Sequence, residues 1–355
     1  MTYKELAKKL GTSPATLSLV INHKPGISKE TRKRILEGIK QNGLEDLLRN
    51  KASQKEYPWK ALEGGIKTIC FLVYRKASSI IFPYSSYVMF MEAIQKQAIQ
   101  YGINLSFAVI DENSNPKEQL QNLLNINIDG MIIYGTEMVD QDIDWFEDFP
   151  IPQVVIDNTF SRKSCSSVFS NNEMAAFQVL EYLVELGHKR IGFLCYNSIR
   201  CRCFQDRYDS YKKAMETNGL SFREEDVWLV DADETDEGLT AQIQNIIQSK
   251  TDFPSVIVTA EDTLAIRAME AFTHTGYIIP DDISFVGFNN HPNCLAVKPS
   301  LTSVDILLEQ YARAAVTELV QMLCDKNAGF DIIKRKVQID TSLIKRNSVK
   351  NLNID

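Results

Sequence analysis

The sequence is poor in the residues that build metal centres and disulfide frameworks. Its 355 residues include only seven Cys and four His. There is no C-x-x-C pair, and no His follows the one close pair, Cys201 and Cys203, at a metal-ligand spacing. These absences exclude a disulfide scaffold, argue against a structural metal and favour a reduced, cytoplasmic protein.

Long hydrophobic runs and secretory signals are also missing. No apolar stretch approaches the ~18 residues of a membrane span, and the opening MTYKELAKKLG has no apolar signal core. Hydrophobic residues make up 44% and charged residues 24%, which is typical of a globular protein with a sizeable core. The length therefore predicts two or three domains without membrane contact.

Common nucleotide-binding and catalytic motifs do not occur. The sequence contains no G-x-G-x-x-G, no G-x-x-x-x-G-K-[ST], no G-x-S-x-G and no H-E-x-x-H. An enzyme would need a catalytic constellation, and none is visible. We therefore predict a protein that is not an enzyme and binds no cofactor.

The net charge of −7 is unevenly distributed. Residues 1–60 contain thirteen Lys or Arg and six Asp or Glu, a net charge of +7, so the remainder carries −14. A basic end of this kind is suited to contact with nucleic-acid phosphates. A solvated, Lys-rich helical surface would account for the counts equally well.

The basic end has the pattern of three short helices. Leu6 and Leu10 recur at helical spacing, and Gly11 ends the first helix. Ser13 and Pro14 begin a second, because Ser caps free N–H groups and Pro fits a first helical turn. The apolar residues of the second helix are Leu17, Val20 and Ile21. A third helix is predicted from Ser28 to Asn42, with Ile35 and Ile39 inward.

Two stretches of this end match a known pattern. The first runs from Ala7 to Asn22 and ends TLSLVIN, and the second is KPGIS, from Lys24 to Ser28. Together they resemble the headpiece of LacI/GalR-type transcription regulators. The resemblance implies a helix-turn-helix domain over residues 1–45, whose second helix enters the major groove of operator DNA.

The resemblance also implies which residues contact DNA. Pro14 and Ala15 hold the positions that read bases, and Leu19, where many members have Arg, offers only apolar contact to a base. The alternative to a DNA contact by Thr16 is a partly buried position in the helix. The complete set of implied DNA contacts is Tyr3, Ser13, Pro14, Ala15, Thr16, Ser18, Leu19, Asn22, His23, Ser28 and Thr31.

The linker, residues 46–65, departs from the family pattern. Family members have a short hinge helix whose apolar side chain wedges into the minor groove. In gapless register Ser53 occupies the wedge position, and Glu45 and Asp46 precede it. We therefore expect an atypical hinge.

The rest of the chain, residues 66–355, reads as a doubled α/β unit. Residues 65–74 (GIKTICFLVY) and 187–196 (GHKRIGFLCY) share six residues at a constant offset of 122. After each copy, helical and apolar strand segments alternate, which predicts two doubly wound, parallel-sheet lobes. The expected fold is thus a small all-α headpiece followed by an α/β body.

The body also resembles periplasmic sugar-binding proteins, which are related to the effector domain of the same family. Landmarks of the resemblance are IDGMII from Ile128, IPQVVID from Ile151 and IPDDISFVGF from Ile279. The implied N-lobe comprises about 66–158 and 294–327, and the implied C-lobe about 159–293 and 328–355. Ligands of such sheets bind at the carboxyl ends of the strands.

The effector site is expected between the lobes. Arg207 aligns with an effector-binding Arg, and its alternative is a surface helix position. Glu261, Asn289 and Ser170 replace a common Asn, Asp and Asp of the family pattern. For Asp157 the alternative role is an interlobe ion pair or a helix cap. For the aromatic residues the alternative role is packing in the core. The expected effector-binding residues are Tyr74, Phe82, Tyr84, Asp157, Ser170, Arg207, Asp233, Glu261 and Asn289.

These observations predict a cytoplasmic transcription regulator that acts as a repressor. Its partners would be pseudo-palindromic operator DNA, a second copy of the chain in a dimer, and a small effector, with a saccharide favoured over a nucleobase or an organic acid. Induction and co-repression both remain open. The alternative is a solute-binding protein of the periplasmic type without DNA regulation.

Overall fold

The chain consists of two compact units, residues 1–65 and residues 66–355. The computed structural model describes residues 3–21, 27–41, 66, 68–76, 86–160, 162–197, 201–231 and 236–354. The predicted hinge lies outside the described residues. Within the described part of the chain, no helix is long and apolar enough to cross a membrane.

The first unit contains the three helices that the sequence predicts. They are α1 (Tyr3–Lys9), α2 (Pro14–Ile21) and α3 (Lys29–Gln41). Gly11 ends the first helix with a φ of 59°, a value that Gly adopts without steric cost. The small core consists of Leu6, Ala7, Leu17, Val20, Ile35 and Ile39. Gly38 allows α3 to approach Leu10, since a Cβ added at Gly38 would lie 2.6 Å from the Leu10 Cδ2 atom.

The second unit alternates strands and helices, as expected. Its first half contains β1 (Thr68–Arg75), α4 (Ser86–Gln100), β2 (Asn104–Asp111), α5 (Pro116–Leu123), β3 (Gly130–Tyr134), a helical turn (Asp144–Glu147), β4 (Gln153–Ile156) and β5 (Ser166–Ser170).

The second half contains α6 (Asn172–Glu185), β6 (Ile191–Tyr196), α7 (Arg202–Thr217), β7 (Val227–Val230), α8 (Asp236–Ser249), β8 (Val256–Thr259), α9 (Asp262–His274), β9 (Ser284–Phe288), β10 (Thr302–Asp305), α10 (Leu308–Asn327), β11 (Lys336–Ile339) and β12 (Ser342–Ile344).

These strands form two six-stranded sheets, one in each lobe. The N-lobe order is β11-β5-β4-β3-β1-β2, and the C-lobe order is β12-β10-β9-β8-β6-β7. All pairings are parallel except that of β10 with β12. Strands β1 and β3 are apolar because both faces of their sheet are covered.

Counted over the described helices and strands, the chain crosses between the lobes three times, which corrects the predicted lobe boundaries. The crossings lie between β5 and α6, between β10 and α10, and between β11 and β12. Strands β5 and β11, expected in the C-lobe, lie in the N-lobe sheet, and β10, expected in the N-lobe, lies in the C-lobe sheet. These short strands contain polar residues (SSVFS, KVQI, TSVD), so their sequences do not determine which sheet edge accepts them.

Candidate functional site

The amino end of α2 presents a polar, exposed surface. The Ser13 hydroxyl accepts a hydrogen bond from the Thr16 N–H at 3.0 Å, and the two hydroxyl oxygens are 2.8 Å apart. Pro14 and Ala15 are exposed, whereas Leu17 and Val20 on the opposite face are fully buried. Ser13 is therefore the N-cap that the sequence predicts, and the residues expected to read bases lie on the accessible side of the helix.

The amino end of α3 repeats this arrangement. The Ser28 hydroxyl accepts from the Thr31 N–H at 3.2 Å and donates to the Thr31 hydroxyl at 2.9 Å. The Arg32 side chain donates to the Val20 carbonyl of α2 at 3.3 Å, which ties the two helices together. Ser28 is exposed and Thr31 is half-buried.

Other residues of the predicted DNA surface are less fully placed. Thr16, Ser18 and Leu19 are half-buried on α2. The burial of Thr16 is therefore compatible both with the expected DNA contact and with the alternative of a partly buried helix residue. Tyr3 belongs to α1. Asn22 and His23 lie outside the described residues.

In the body, the two lobes meet where strands of both sheets end. Cys201, at the start of α7 in the C-lobe, donates its thiol to the Thr136 carbonyl, which follows β3 of the N-lobe, at 3.2 Å. Its sulfur lies 3.4 Å from that of Cys203. The carboxyl ends of parallel strands in both lobes thus border one region, as α/β binding proteins require.

Asp157 is the acidic group that the N-lobe contributes to this region. It follows β4 with a φ of 59°, and its side chain is 8% exposed. The Thr136 hydroxyl donates to Asp157 Oδ2 at 2.6 Å, and the Cys203 thiol is a further hydrogen-bond partner. Burial raises the pKa of the Asp157 carboxyl, and the nearby charge of Arg207 opposes this shift only in part.

Arg207 is the cationic group that the C-lobe contributes. It projects from α7, is 6% exposed, and donates to the Ala260 carbonyl at 2.5 Å and to Asn289 Oδ1 at 3.2 Å. Its guanidinium lies over the Phe288 ring, 3.7 Å from the centroid. The alternative in which Arg207 lies on the surface of its helix is wrong, because its guanidinium is held inside the C-lobe between the ends of β8 and β9.

Glu261 lies beside Arg207 and is equally buried. The Tyr196 hydroxyl donates to Glu261 Oε1 at 2.6 Å, and the side chain is 6% exposed. Burial raises the pKa of this carboxyl, while the Tyr196 hydrogen bond and the Arg207 charge oppose the shift. The next residue, Asp262, accepts from the Ser303 hydroxyl at 2.5 Å and from the His291 N–H at 2.7 Å, which anchors the loop after β9.

The remaining predicted effector residues divide into three groups. Ser170, at the crossing from β5 to α6, is 4% exposed, and its Oγ atom has no hydrogen-bond partner. Tyr74 belongs to the core and not to the effector site that was predicted for it: it is fully buried, and its hydroxyl donates to Asp142 at 3.1 Å. Phe82, Tyr84 and Asp233 lie outside the described residues.

Sequence reasoning missed several polar residues of this region. Thr136, Tyr196 and Tyr311 all hydrogen-bond to the candidate residues, and Tyr311 accepts from the Asp157 N–H at 2.7 Å. Thr136 and Tyr196 stand at the carboxyl ends of apolar strands, and this position was the available signal. Tyr311 lies on α10, far away in sequence, and carried no signal. Among the described residues there is no cluster of three or more potential metal ligands.

Comparisons with known proteins agree with this architecture. Residues 2–43 match the family described as bacterial regulatory proteins, lacI family, and residues 180–349 match a periplasmic binding protein-like domain. The chain thus carries the DNA-binding domain of the LacI family, followed by a periplasmic binding protein-like domain. Its headpiece and two-lobed body support a transcription regulator with a ligand-binding domain, and the PurR relatives are named transcriptional repressors.

Two curated relatives span most of the chain. Catabolite control protein A of Priestia megaterium is 26% identical over 311 residues, 86% of this chain and 87% of that protein. The HTH-type transcriptional repressor PurR of Haemophilus influenzae (strain ATCC 51907 / DSM 11121 / KW20 / Rd) is 26% identical over 358 residues, 99% of each chain.

Solved structures share the fold at lower identity. A complex of the transcriptional regulator CelR with cellobiose has a TM-score of 0.67 at 20% identity and covers 98% of this chain and 99% of that one. A lac repressor dimer bound to operator and an anti-inducer has a TM-score of 0.66 at 20% identity, with 99% of both chains covered. The CCPA regulator of Weissella paramesenteroides with bound glucose has a TM-score of 0.67 at 19% identity, covering 81% and 100%.

Proposed function

We propose that this LacI-family regulator is a repressor that binds a pseudo-palindromic operator in the cytoplasm and releases or retains it in response to a saccharide. The observation that carries the proposal is the pairing of an exposed, polar helix start in the headpiece with a buried polar cluster where the two lobes meet. The first suits DNA and the second suits a small polyhydroxylated ligand.

In the headpiece, α2 is the recognition helix. Its buried face anchors it to α1 and α3, so the exposed Pro14 and Ala15 are left to face base edges. The Ser13 and Ser28 hydroxyls stand at helix amino ends, where phosphate is stabilised by free N–H groups and the helix dipole. Base contacts then specify the site, and phosphate contacts set the register.

In the body, the effector binds between the lobes and alters how they close. Asp157 stands on the N-lobe, whereas Arg207 and Glu261 stand on the C-lobe, so one ligand can contact both. The three crossings are the segments about which the lobes move. A ligand that stabilises one lobe arrangement shifts the population toward it and thereby changes operator affinity.

The active form is a homodimer. Each sheet ends in an exposed edge strand with a large apolar side chain, Phe107 on β2 (48% exposed) and Leu229 on β7 (53%), and Ile99 on the neighbouring α4 is also exposed. Exposed apolar edges of this kind favour pairing with another chain. Two-fold symmetry places two headpieces on the two halves of a pseudo-palindrome.

The test is the salt dependence of DNA binding, measured by fluorescence anisotropy on DNA from upstream of the protein's own gene and on random DNA of equal length. We expect log affinity to fall linearly with log salt on both DNAs. At each salt concentration the upstream DNA should bind at least about 1,000-fold more tightly. Equal affinity for the two DNAs would reject the regulator function and favour a solute-binding protein.

A pair of matched variants locates the DNA surface. Ala15→Glu places a carboxylate on the exposed start of α2 and should reduce operator affinity at least tenfold. Ala296→Glu adds the same charge at an exposed position of the body and should leave operator affinity unchanged. Equal effects of the two substitutions would contradict the assignment of α2.

A further inference from the structure

Helix α2, the recognition helix of the proposed function, has no side chain suited to bidentate hydrogen bonding with a base. Its eight residues read PATLSLVI. Bidentate contacts in the major groove come from Arg or Lys on guanine and from Asn or Gln on adenine, and the helix contains none of these four residue types. Recognition of bases by α2 therefore depends on another kind of contact.

The hydroxyl groups of α2 discriminate little between bases. The Thr16 hydroxyl lies 2.8 Å from the Ser13 hydroxyl, so it is engaged at the helix cap. Ser18 is half-buried. A hydroxyl can both donate and accept a hydrogen bond, and it can therefore pair with either kind of group on a base edge. These two side chains do not supply the sequence preference that an operator requires.

The accessible side of α2 is made of hydrocarbon. Pro14 and Ala15 are exposed, and Leu19 is half-buried. Leu19 follows Ala15 by four residues, which is about one helical turn, so the two side chains lie on the same face. Leu17 is fully buried in the headpiece core on the opposite face. The surface that remains for base edges consists of a Pro ring, an Ala methyl group and part of a Leu side chain.

Thymine is the base that offers a matching group in the major groove. It presents its 5-methyl group there, whereas the other three bases present hydrogen-bonding groups. Burial of one methyl-sized group increases affinity by about fourfold. Opposite another base, an apolar side chain would cover a polar group without pairing it, which is costly. Both effects favour thymine over guanine, adenine and cytosine at the base pairs that face these residues.

We propose that each operator half-site presents thymine methyl groups to Pro14, Ala15 and Leu19, so that α2 reads its bases by methyl packing. This inference rests on the proposed function, since it names the base chemistry that the same DNA surface recognises. The rise along the helix from Ala15 to Leu19 is about 6 Å, which is close to two base-pair steps of about 3.4 Å. One or two thymines in each half-site are therefore expected to face the helix.

The experiment removes the methyl groups from the DNA and leaves the protein unaltered. The full-length protein first selects its site from a library of random-sequence DNA. Each thymine of the selected site is then replaced, one at a time, by uracil, which lacks the methyl group and keeps every hydrogen-bonding group. We expect uracil at one or two positions of each half-site to lower affinity about fourfold, measured by fluorescence anisotropy. At these positions 5-bromouracil, whose bromine is similar in size to a methyl group, should restore affinity to within about twofold.

Protein variants connect the methyl preference to α2. Leu19→Ala and Ala15→Gly each remove hydrocarbon from the accessible side, and each should bring the thymine-to-uracil affinity ratio at one sensitive position to within about twofold of one. Leu295→Ala truncates a 70% exposed Leu of the body and should preserve the ratio at every position. Circular dichroism of each variant verifies folding, and the uracil series does not depend on any variant.

The outcomes separate this inference from the proposed function. A selected site whose affinity is unchanged by uracil at every position overturns the methyl inference alone, because specific binding itself persists. Loss at a thymine that both α2 variants leave unaltered also overturns it, since the methyl contact then belongs to another part of the protein. A selection that yields no DNA bound more tightly than random sequence overturns the regulator function, and the inference with it.

Discussion

The guanidinium of Arg207 lies over the ring of Phe288, with 3.7 Å between the Arg207 Cζ atom and the ring centroid. This contact joins α7 to the end of β9, at the point where the loop toward Asn289 begins. Cation–π contacts in desolvated surroundings stabilise by about 1–2 kcal/mol. The orientation of Arg207 is therefore set by the C-lobe before any ligand arrives.

Arg207→Ala should abolish the response to effector while leaving operator affinity unchanged. The substitution removes the cation that acts on Asp157 and Glu261 and releases the Asn289 side chain. The measurement is operator anisotropy with and without a saccharide that binds the unaltered protein. Arg207→Lys is the matched control, since Lys keeps the positive charge but lacks the planar set of guanidinium N–H donors. Effector binding that survived Arg207→Ala unaltered would contradict the placement of the site.

Ser13 variants should separate helix capping from DNA contact. Ser13→Ala loses the cap on the Thr16 N–H, which lowers headpiece stability by about 1 kcal/mol. Ser13→Asp keeps a capping oxygen but repels phosphate, so it should preserve stability and weaken operator binding. Thermal melts and anisotropy measure the two effects. Equal operator affinity for Ser13→Asp and the unaltered protein would remove Ser13 from the DNA surface.

Tyr311→Phe should destabilise the N-lobe by about 1–3 kcal/mol. The buried hydroxyl donates to the Val168 carbonyl at 2.6 Å and accepts from the Asp157 N–H at 2.7 Å, so its loss affects both β4 and β5. Urea denaturation gives the change in unfolding free energy. Tyr101→Phe is the comparison: the Tyr101 hydroxyl forms an exposed contact, 3.3 Å from the Thr317 hydroxyl, and its loss should change stability by less than about 0.5 kcal/mol.

Stability should fall as the pH rises from about 4 to about 7, in part because of Asp262. Burial raises the pKa of this carboxyl from 3.8 to about 7. Between these values the folded protein holds a proton that the unfolded chain has released, so rising pH favours unfolding. Urea midpoints at pH 5 and pH 8 should differ less in Asp262→Asn than in the unaltered protein. An identical difference in both proteins would assign the pH dependence to other groups.

Phe107→Asp should convert the proposed dimer to monomer. Phe107 is 48% exposed on the edge strand β2, and a carboxylate there would be desolvated in a dimer. Sedimentation velocity gives the oligomeric state, and operator affinity should fall with it, because one headpiece reads only half a site. Phe330→Asp, at a 70% exposed position outside β2 and α4, should keep the dimer. A monomer formed by both variants, or by neither, would rule out β2 as the interface.

The sequence by itself determined the local structure and the division of labour along the chain. The three headpiece helices follow from apolar spacing, from Gly11 and from the Ser13 cap, all of which act within a few residues. The alternation of strands and helices from Thr68 to Thr259 follows from local periodicity in the same way. The positions of Asp157 and Glu261 after strands of the two sheets were also predictable, since parallel strands present their carboxyl ends at one edge of a sheet. Arg207 was indicated by the family resemblance alone.

Only the tertiary structure decided which sheet received the short strands and what surrounds each buried charge. Strands β5, β10 and β11 contain four or five residues each, and their pairing depends on the sheet edges available to them. Tyr74 lies at the end of a buried strand, but its side chain points to the core, which the aromatic residue type alone does not determine. Tyr311 reaches Asp157 across 154 positions of sequence, because α10 packs on β4 and β5. Local sequence specifies elements, whereas the contacts that hold a binding site come from segments brought together only by folding.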